Sequence, residues 1–231
     1  MFYFWDWTML ILIPGIIISA IAQAKVSSAY SRYSEVRTAN GLTGAEASRE
    51  IMNDSGLRGV QIVQIGGKLT DNYNPKTKMM SLSQGVCNQA TVAAVGIAAH
   101  ETGHALQDMD GYAPMKFRNA IVPVCGFASN ASWPLFILGF FFGNSSFGIT
   151  LMDIGIGLFC VALVFYLITL PVEFNASKRA MQALDQYGLV TEEELVGVKR
   201  VLNAAALTYV ASMLAALLNL VRLLALRGSR N

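Results

Sequence analysis

Long apolar runs limit what this chain can fold into more than any other feature. They fall at Met9–Ala22, Ala120–Gly143, Ile149–Val172 and Val201–Leu226, and about twenty apolar residues suffice to cross the hydrocarbon core of a bilayer. Hydrophobic residues make up 54% of the chain, charged residues 14%, and mean hydropathy is +0.45. Soluble domains carry about a quarter charged residues, so much of this surface must face lipid. With 231 residues, the chain has room for a small polar unit beside its spans, and not for two full domains.

The runs also suggest an orientation. Asp6, and no Lys or Arg, precedes the first run, so the basic start of a signal peptide is missing although Ala22-Gln23-Ala24 resembles a cleavage site. Residues 1–24 therefore read as a retained transmembrane anchor. Lys25, Arg32 and Arg37 follow it, which puts this end on the cytoplasmic side and the N-terminus outside. The second and third runs form a hairpin around Asn144-Ser145-Ser146, and Pro123, Asn130, Ser132 and Pro134 interrupt the second. Polar groups inside a span usually face protein or water, so this helix is expected to pack against others or line a cavity. Lys178, Arg179, Lys199 and Arg200 mark a second cytoplasmic segment. One conflict stands: a fourth full span would place Arg222, Arg227 and Arg230 outside, against the rule that basic residues stay inside. Either the last helix bends along the surface or the short basic tail is tolerated.

Residues 25–118 form the polar segment. Thr43-Gly44-Ala45-Glu46 is a capping box that starts a helix, and Gly56 can end it. Val60–Ile65 and Met79–Ser83 are strand candidates, separated by turn residues in Asn72–Lys78. Met79–Ser83 is the candidate free edge on which an extended substrate could pair as an added strand; a plain core hairpin is the competing expectation. Residues 119–231 hold the hairpin and the last apolar run, and Thr191–Glu194 is a second capping box.

Both histidines of the chain lie in Ala94–Gln107, as His100-Glu101-Thr102-Gly103-His104. On a helix, residues four apart share a face, so both imidazoles can reach one metal ion without distorting the backbone. Glu101 is then placed to act on a water at that ion, the H-E-x-x-H arrangement of zinc proteases. The bland alternative is a pair of hydrogen-bonded core histidines. Gly96 and Gly103 weaken the helix slightly.

Catalytic zinc takes three protein ligands and keeps one position open. Cys87, Cys125 and Cys160 are scattered, so neither a disulfide framework nor a thiolate site is expected. The longer metzincin motif fails, because Gln107 replaces its Gly and Asp110 its third His. A carboxylate is left. Glu173 sits at the border of the third apolar run, where a charge is costly unless something neutralises it. Asp110 is a weaker candidate, Asp153 lies near the other end of the span, and Glu192–Glu194 fall in a capping turn. An interfacial Glu173 facing water is the alternative. For an oxyanion donor there is no spare histidine; Tyr112, Tyr209 and Arg118 are the candidates, and each could equally be an interfacial anchor.

The sequence resembles the YugP-like family of bacterial membrane zinc metallopeptidases over nearly its whole length. The likeness is carried by Gly41–Glu46, Ala98–Ala105, Gly111–Pro114, Pro171–Phe174, Ala176-Ser177 and Leu202–Val210. More distantly it is similar to the HtpX-like and CAAX prenyl protease families. The resemblance implies zinc on His100, His104 and Glu173, with Glu101 as base. The chain departs from those relatives at Ser177, where an aspartate often supports the site, and at Asn175, where the closer family commonly shows Asp.

The expected fold class is therefore mainly α, a multi-pass membrane protein with a small α+β zincin-like unit. The expected function is a membrane zinc endopeptidase acting on membrane-associated or membrane-proximal polypeptides near the cytoplasmic face, with one Zn²⁺ as cofactor. Partners are a polypeptide substrate and the lipid bilayer. The net charge of +2 is too small and dispersed for nucleic acid. A non-proteolytic zinc-stabilised scaffold or chaperone-like factor is the alternative; a transporter fits less well, since charges sit mostly at span borders.

Overall fold

The computed structural model describes residues 6–229; the aromatic opening before Asp6 and Arg230 lie outside the described residues. A 3-10 turn, Trp7–Leu12, leads into α1 (Ile13–Ser34). Then come α2 (Gly44–Asp54), β1 (Gln61–Ile65), β2 (Asn72–Asn74), β3 (Met79–Ser83), a short α3 (Gln84–Cys87), α4 (Val92–Met109), α5 (Ala113–Phe141), α6 (Ser146–Gln186) and α7 (Glu192–Gly228). These elements build two compact units, one of Met1–Ala22, Phe117–Leu170 and Thr208–Asn231, the other of Gln23–Lys116 and Pro171–Leu207.

The second unit holds the sheet and the histidine helix. Both capping boxes form: the Thr43 amide donates to Glu46 at 2.9 Å and the Thr191 amide to Glu194 at 2.8 Å, with the reciprocal bonds at 3.3 and 3.2 Å. The three strands run in the order β1-β3-β2. β1 pairs parallel with β3, Gln61 opposite Met79, and β2 pairs antiparallel, Tyr73 opposite Met80. This corrects two expectations. Met79–Ser83 is the central strand, with both edges paired, and its partner β1 is parallel to it, so the two do not make a hairpin. The physical reason is burial: Met80 and Leu82 are fully enclosed, while β1 keeps Gln61 and Gln64 exposed. A strand with polar, exposed side chains suits an edge.

α4 is the shared wall of two cores. Val95, Ala99 and Leu106 face a cluster with Ile51, Leu184 and Val198. Ala98 and Ala105 face another with Met80, Leu82 and Val172. Alanines on two faces let neighbours approach closely, which is why so apolar a helix is buried here rather than in lipid.

The other unit is built from helical spans. Among the described residues, four helices are long and apolar enough to cross a membrane: Trp7–Ser34, Ala113–Phe141, Ser146–Gln186 and Glu192–Gly228. Pro123 and Pro134 lie within α5, which continues through both. Phe136, Met152, Ile156 and Leu223 form the interior; Ile16, Val124, Phe127 and Phe141 point outward and are exposed. Such a surface needs an apolar surrounding. α7 is one unbroken helix. Arg227 reaches Asp153 at 2.9 Å, and Arg222 lies 3.7 Å from Asp6. Part of the basic charge at the C-terminus is therefore offset within the unit, which eases the conflict over its side.

Candidate metal centre

α4 begins at Thr91, whose hydroxyl accepts from the Ala94 amide at 3.3 Å, and ends before Gly111 at φ +65°. At 100° per residue, Gly103, His100, His104 and Gln107 fall on a third face, away from the two cores. That face meets α6. A Cβ on Gly103 would lie 3.0 Å from the Ala176 carbonyl carbon and closer still to its oxygen. Glycine here does not merely weaken a helix; it lets two backbones touch. Gly103→Ala must push α6 away, a strain of about 1–3 kcal/mol. We expect a lower melting temperature together with loss of bound zinc on metal analysis, since the displaced helix carries Glu173.

The close approach brings Glu173 onto the histidines. Glu173 Oε2 lies 3.2 Å from His100 Nε2 and 3.4 Å from His104 Nε2, and the ligand atoms of all three side chains lie within 4.8 Å of one another. Their outer nitrogens are already engaged: His100 Nδ1 meets Ser177 Oγ at 3.1 Å and His104 Nδ1 meets Gln107 Oε1 at 3.0 Å. The Gln107 amide donates its Nε2 to Val172 O at 2.8 Å and to Asn175 Oδ1 at 3.0 Å, so its oxygen faces the imidazole. His104 Nδ1 must then carry the hydrogen. Its Nε2 lone pair points at a carboxylate oxygen, which is repulsive unless a cation stands between them. Ligands held at 2.0–2.1 Å in a tetrahedron are separated by about 3.4 Å, close to the observed spacing. The donor set, its burial and its spacing fit a single zinc ion.

Ser177 takes the place beside His100, and Asn175 orients Gln107 while accepting from Arg179 at 2.9 Å. Partners of this kind typically carry 10–100-fold in metal affinity. Gln107→Leu should therefore weaken zinc binding by about that factor, measurable by competition with a chromophoric chelator.

Glu101 is 8% exposed. Burial pushes its carboxyl up to about 7; the Glu173 charge adds to this, while His100 and the Tyr73 amide favour the charged form. The Tyr73 amide belongs to β2, whose side-chain hydroxyl donates to Asp108 at 2.7 Å; Lys78 reaches the same carboxylate at 2.5 Å. Thus β2 is tied to α4 one turn beyond His104. Burial also raises Asp71, against the Ser83 bonds that lower it. In protein stripped of metal, the folded state then holds the Glu101 proton more tightly than the unfolded chain, with a pKa of about 7 against 4.5. Stability must fall as pH rises between those values, by about 3 kcal/mol from this group. Chelator-treated Glu101→Gln should lack that decline, so its melting-temperature advantage over the parent grows from pH 4.5 to pH 8.

Other carboxylates weighed as ligands have partners of their own. Asp110 is ion-paired to Arg179, whose guanidinium lies 5.9 Å from the Tyr112 ring centre. Asp153 is taken by Arg227, and Glu194 caps α7 and accepts from the Ala39 amide. Arg118 and Tyr209 belong to the span unit. Gln107, Tyr73 and Asp71 were not singled out as site residues by sequence. Only Gln107 carried a usable signal, a polar side chain one turn past His104 on an otherwise apolar helix.

Residues 8–228 match the family model described as "Putative neutral zinc metallopeptidase". The chain is 43% identical over 201 residues to the "Putative membrane protease YugP" of Bacillus subtilis (strain 168), covering 87% of this chain and 88% of that protein. No solved structure matches the chain. By the reach of the family model and the extent of that identity, the chain belongs to the YugP-like zinc metallopeptidase family.

Proposed function

We propose that this protein is a membrane-embedded zinc endopeptidase of the H-E-x-x-H-plus-glutamate type. It hydrolyses membrane-associated or membrane-proximal polypeptides. The observation that carries the reading is the meeting of His100 Nε2, His104 Nε2 and one Glu173 oxygen at 3.2 and 3.4 Å, with buried Glu101 beside them. Zinc held there supplies Lewis acidity, making a water easier to deprotonate and a carbonyl easier to attack. Glu101 accepts the proton as the water attacks the scissile carbonyl and returns it to the leaving amine. Its burial serves this role, because a carboxylate with raised proton affinity is a better base. Gln107 holds the His104 imidazole in one tautomer, and Ser177 holds the His100 ring in place. Of the two edge strands, β2 is the one tied to α4, and an extended substrate pairing along it would run past Glu101.

The site opens to the cytoplasm in this reading. Lys25, Arg32, Lys178 and Arg200 belong to the unit that holds the histidines, whereas Arg222 and Arg227 face Asp6 and Asp153 in the span unit. Basic residues on the zinc side mark it as the inner side. The test is cleavage of an unstructured peptide by the protein purified in detergent, with fragments identified by mass. Internal cuts should stop on chelation and resume with zinc. Cleavage that ignores the chelator, or that His100→Ala performs as well as the parent, rejects the reading.

A further inference from the structure

The span unit carries an open groove of about 620 Å³, within the range of ligand sites, and a charged side chain stands in its wall. Arg222 is 11% exposed along its side chain. Its Nε donates to Thr8 Oγ1 at 3.3 Å, and its Nη2 is 3.7 Å from Asp6 Oδ2, too far for a hydrogen bond. Asp6 Oδ1 accepts from the Thr8 amide at 2.8 Å and from the Thr8 hydroxyl, and its Oδ2 is the oxygen nearest Arg222. A guanidinium has five N–H donors; among the described residues only the Nε donor of Arg222 has an acceptor within reach.

Depth along α7 identifies what supplies the others. Arg222 lies about 9 Å inside the helix end at Gly228, at 1.5 Å per residue. The polar layer on each side of a bilayer is roughly 5–8 Å thick; with Gly228 at its outer edge, the guanidinium comes to the level where lipid phosphates meet hydrocarbon. Trp7, 66% exposed, stands near the same end of the chain's first span, and tryptophan favours that interface. From Arg222 the groove runs past Asn219 to Ser212, about 15 Å along the helix. Most of its lining is apolar, Ile16, Trp133 and Phe159 among it, with Ser19, Ser129 and Tyr166 also on the wall. A helix of a protein substrate would bring apolar side chains to the level of Arg222 and leave its donors open. A phospholipid brings an anion at that depth and a chain for the groove.

We propose that the span unit binds one phospholipid, its phosphodiester on Arg222 and Asn219 and one acyl chain in the groove. Arginine matches phosphate oxygens in bidentate geometry. Asp6, 36% exposed at its side chain, faces the headgroup and accommodates the ammonium of a zwitterionic lipid, so phosphate is the recognised group and the headgroup beyond it is not. The site is independent of peptide hydrolysis.

Native mass spectrometry of the full chain, released from detergent micelles holding equal amounts of phosphatidylglycerol, phosphatidylethanolamine and diacylglycerol, tests this. A single adduct of either phospholipid is expected, and none of diacylglycerol. Arg222→Gln should lower retention of both phospholipids about tenfold or more, and Arg227→Gln should not. Ser212 is exposed, so Ser212→Trp fills the groove without displacing core side chains. It should lose the adduct while its melting temperature in lipid-free detergent stays the same. Glu101→Gln should keep the adduct whether or not it cleaves peptides. Diacylglycerol retained as well as the phospholipids, or an adduct that survives both Arg222→Gln and Ser212→Trp, overturns the proposal.

Discussion

Glu101→Gln should lose on the order of a thousandfold in kcat or more while binding the same amount of zinc. Glutamine has the shape of glutamate and cannot take a proton at neutral pH, and a positioned general base contributes typically 10²–10⁴-fold. The metal stays because the proposed ligand atoms belong to His100, His104 and Glu173. The fold stays too. Glu101 is buried, and burial is the largest cause of its raised proton affinity; a neutral amide removes that cost. Hydrolysis of a fluorogenic peptide, read beside zinc content on the same sample, separates this from unfolding. Cleavage at the parental rate would reject Glu101 as the base.

Glu173→Ala should do the reverse, losing zinc first and activity as a consequence. Its carboxylate is 5% exposed and supplies the one oxygen near both imidazoles. Without it two nitrogens remain, one ligand short of the set that catalytic zinc requires. A metal present at 1,000 times its dissociation constant stabilises the folded state by about 4 kcal/mol. The parent should therefore melt higher when zinc is added, and Glu173→Ala should show almost none of that rise. Val172 and Ala176, which seat this turn of α6 against α4, are fully buried and untouched by the change, so the metal-free melting temperature should differ little. A full zinc-dependent rise in Glu173→Ala would mean that the third ligand lies elsewhere.

What could be read from sequence was short-range. The histidine helix, both capping boxes and the bounds of β3 rest on residues within a few positions of one another, and each appears where expected. β2 was hidden because Asn72-Tyr73-Asn74 is brief and looks like a turn; asparagine is a turn former. The place of β3 inside the sheet depends on pairing with β1 across a loop, which no local pattern encodes. Pro123 and Pro134 look like interruptions, yet α5 absorbs both, as spans can when neighbouring groups satisfy the freed carbonyls. Gly103 shows the limit best. By propensity it is a small defect; beside Ala176 it is the reason the carboxylate can reach the imidazoles. Likewise the support from Gln107 depends on Val172 and Asn175 turning its amide, and α6 lies far away in the chain.

X-ray absorption at the zinc edge, on the full chain in detergent, tests the metal centre most directly. Two imidazole nitrogens and oxygen ligands at about 2.0–2.1 Å are predicted, from His100, His104, Glu173 and one water. A sulfur shell at about 2.3 Å, or a first shell without imidazole, would contradict it.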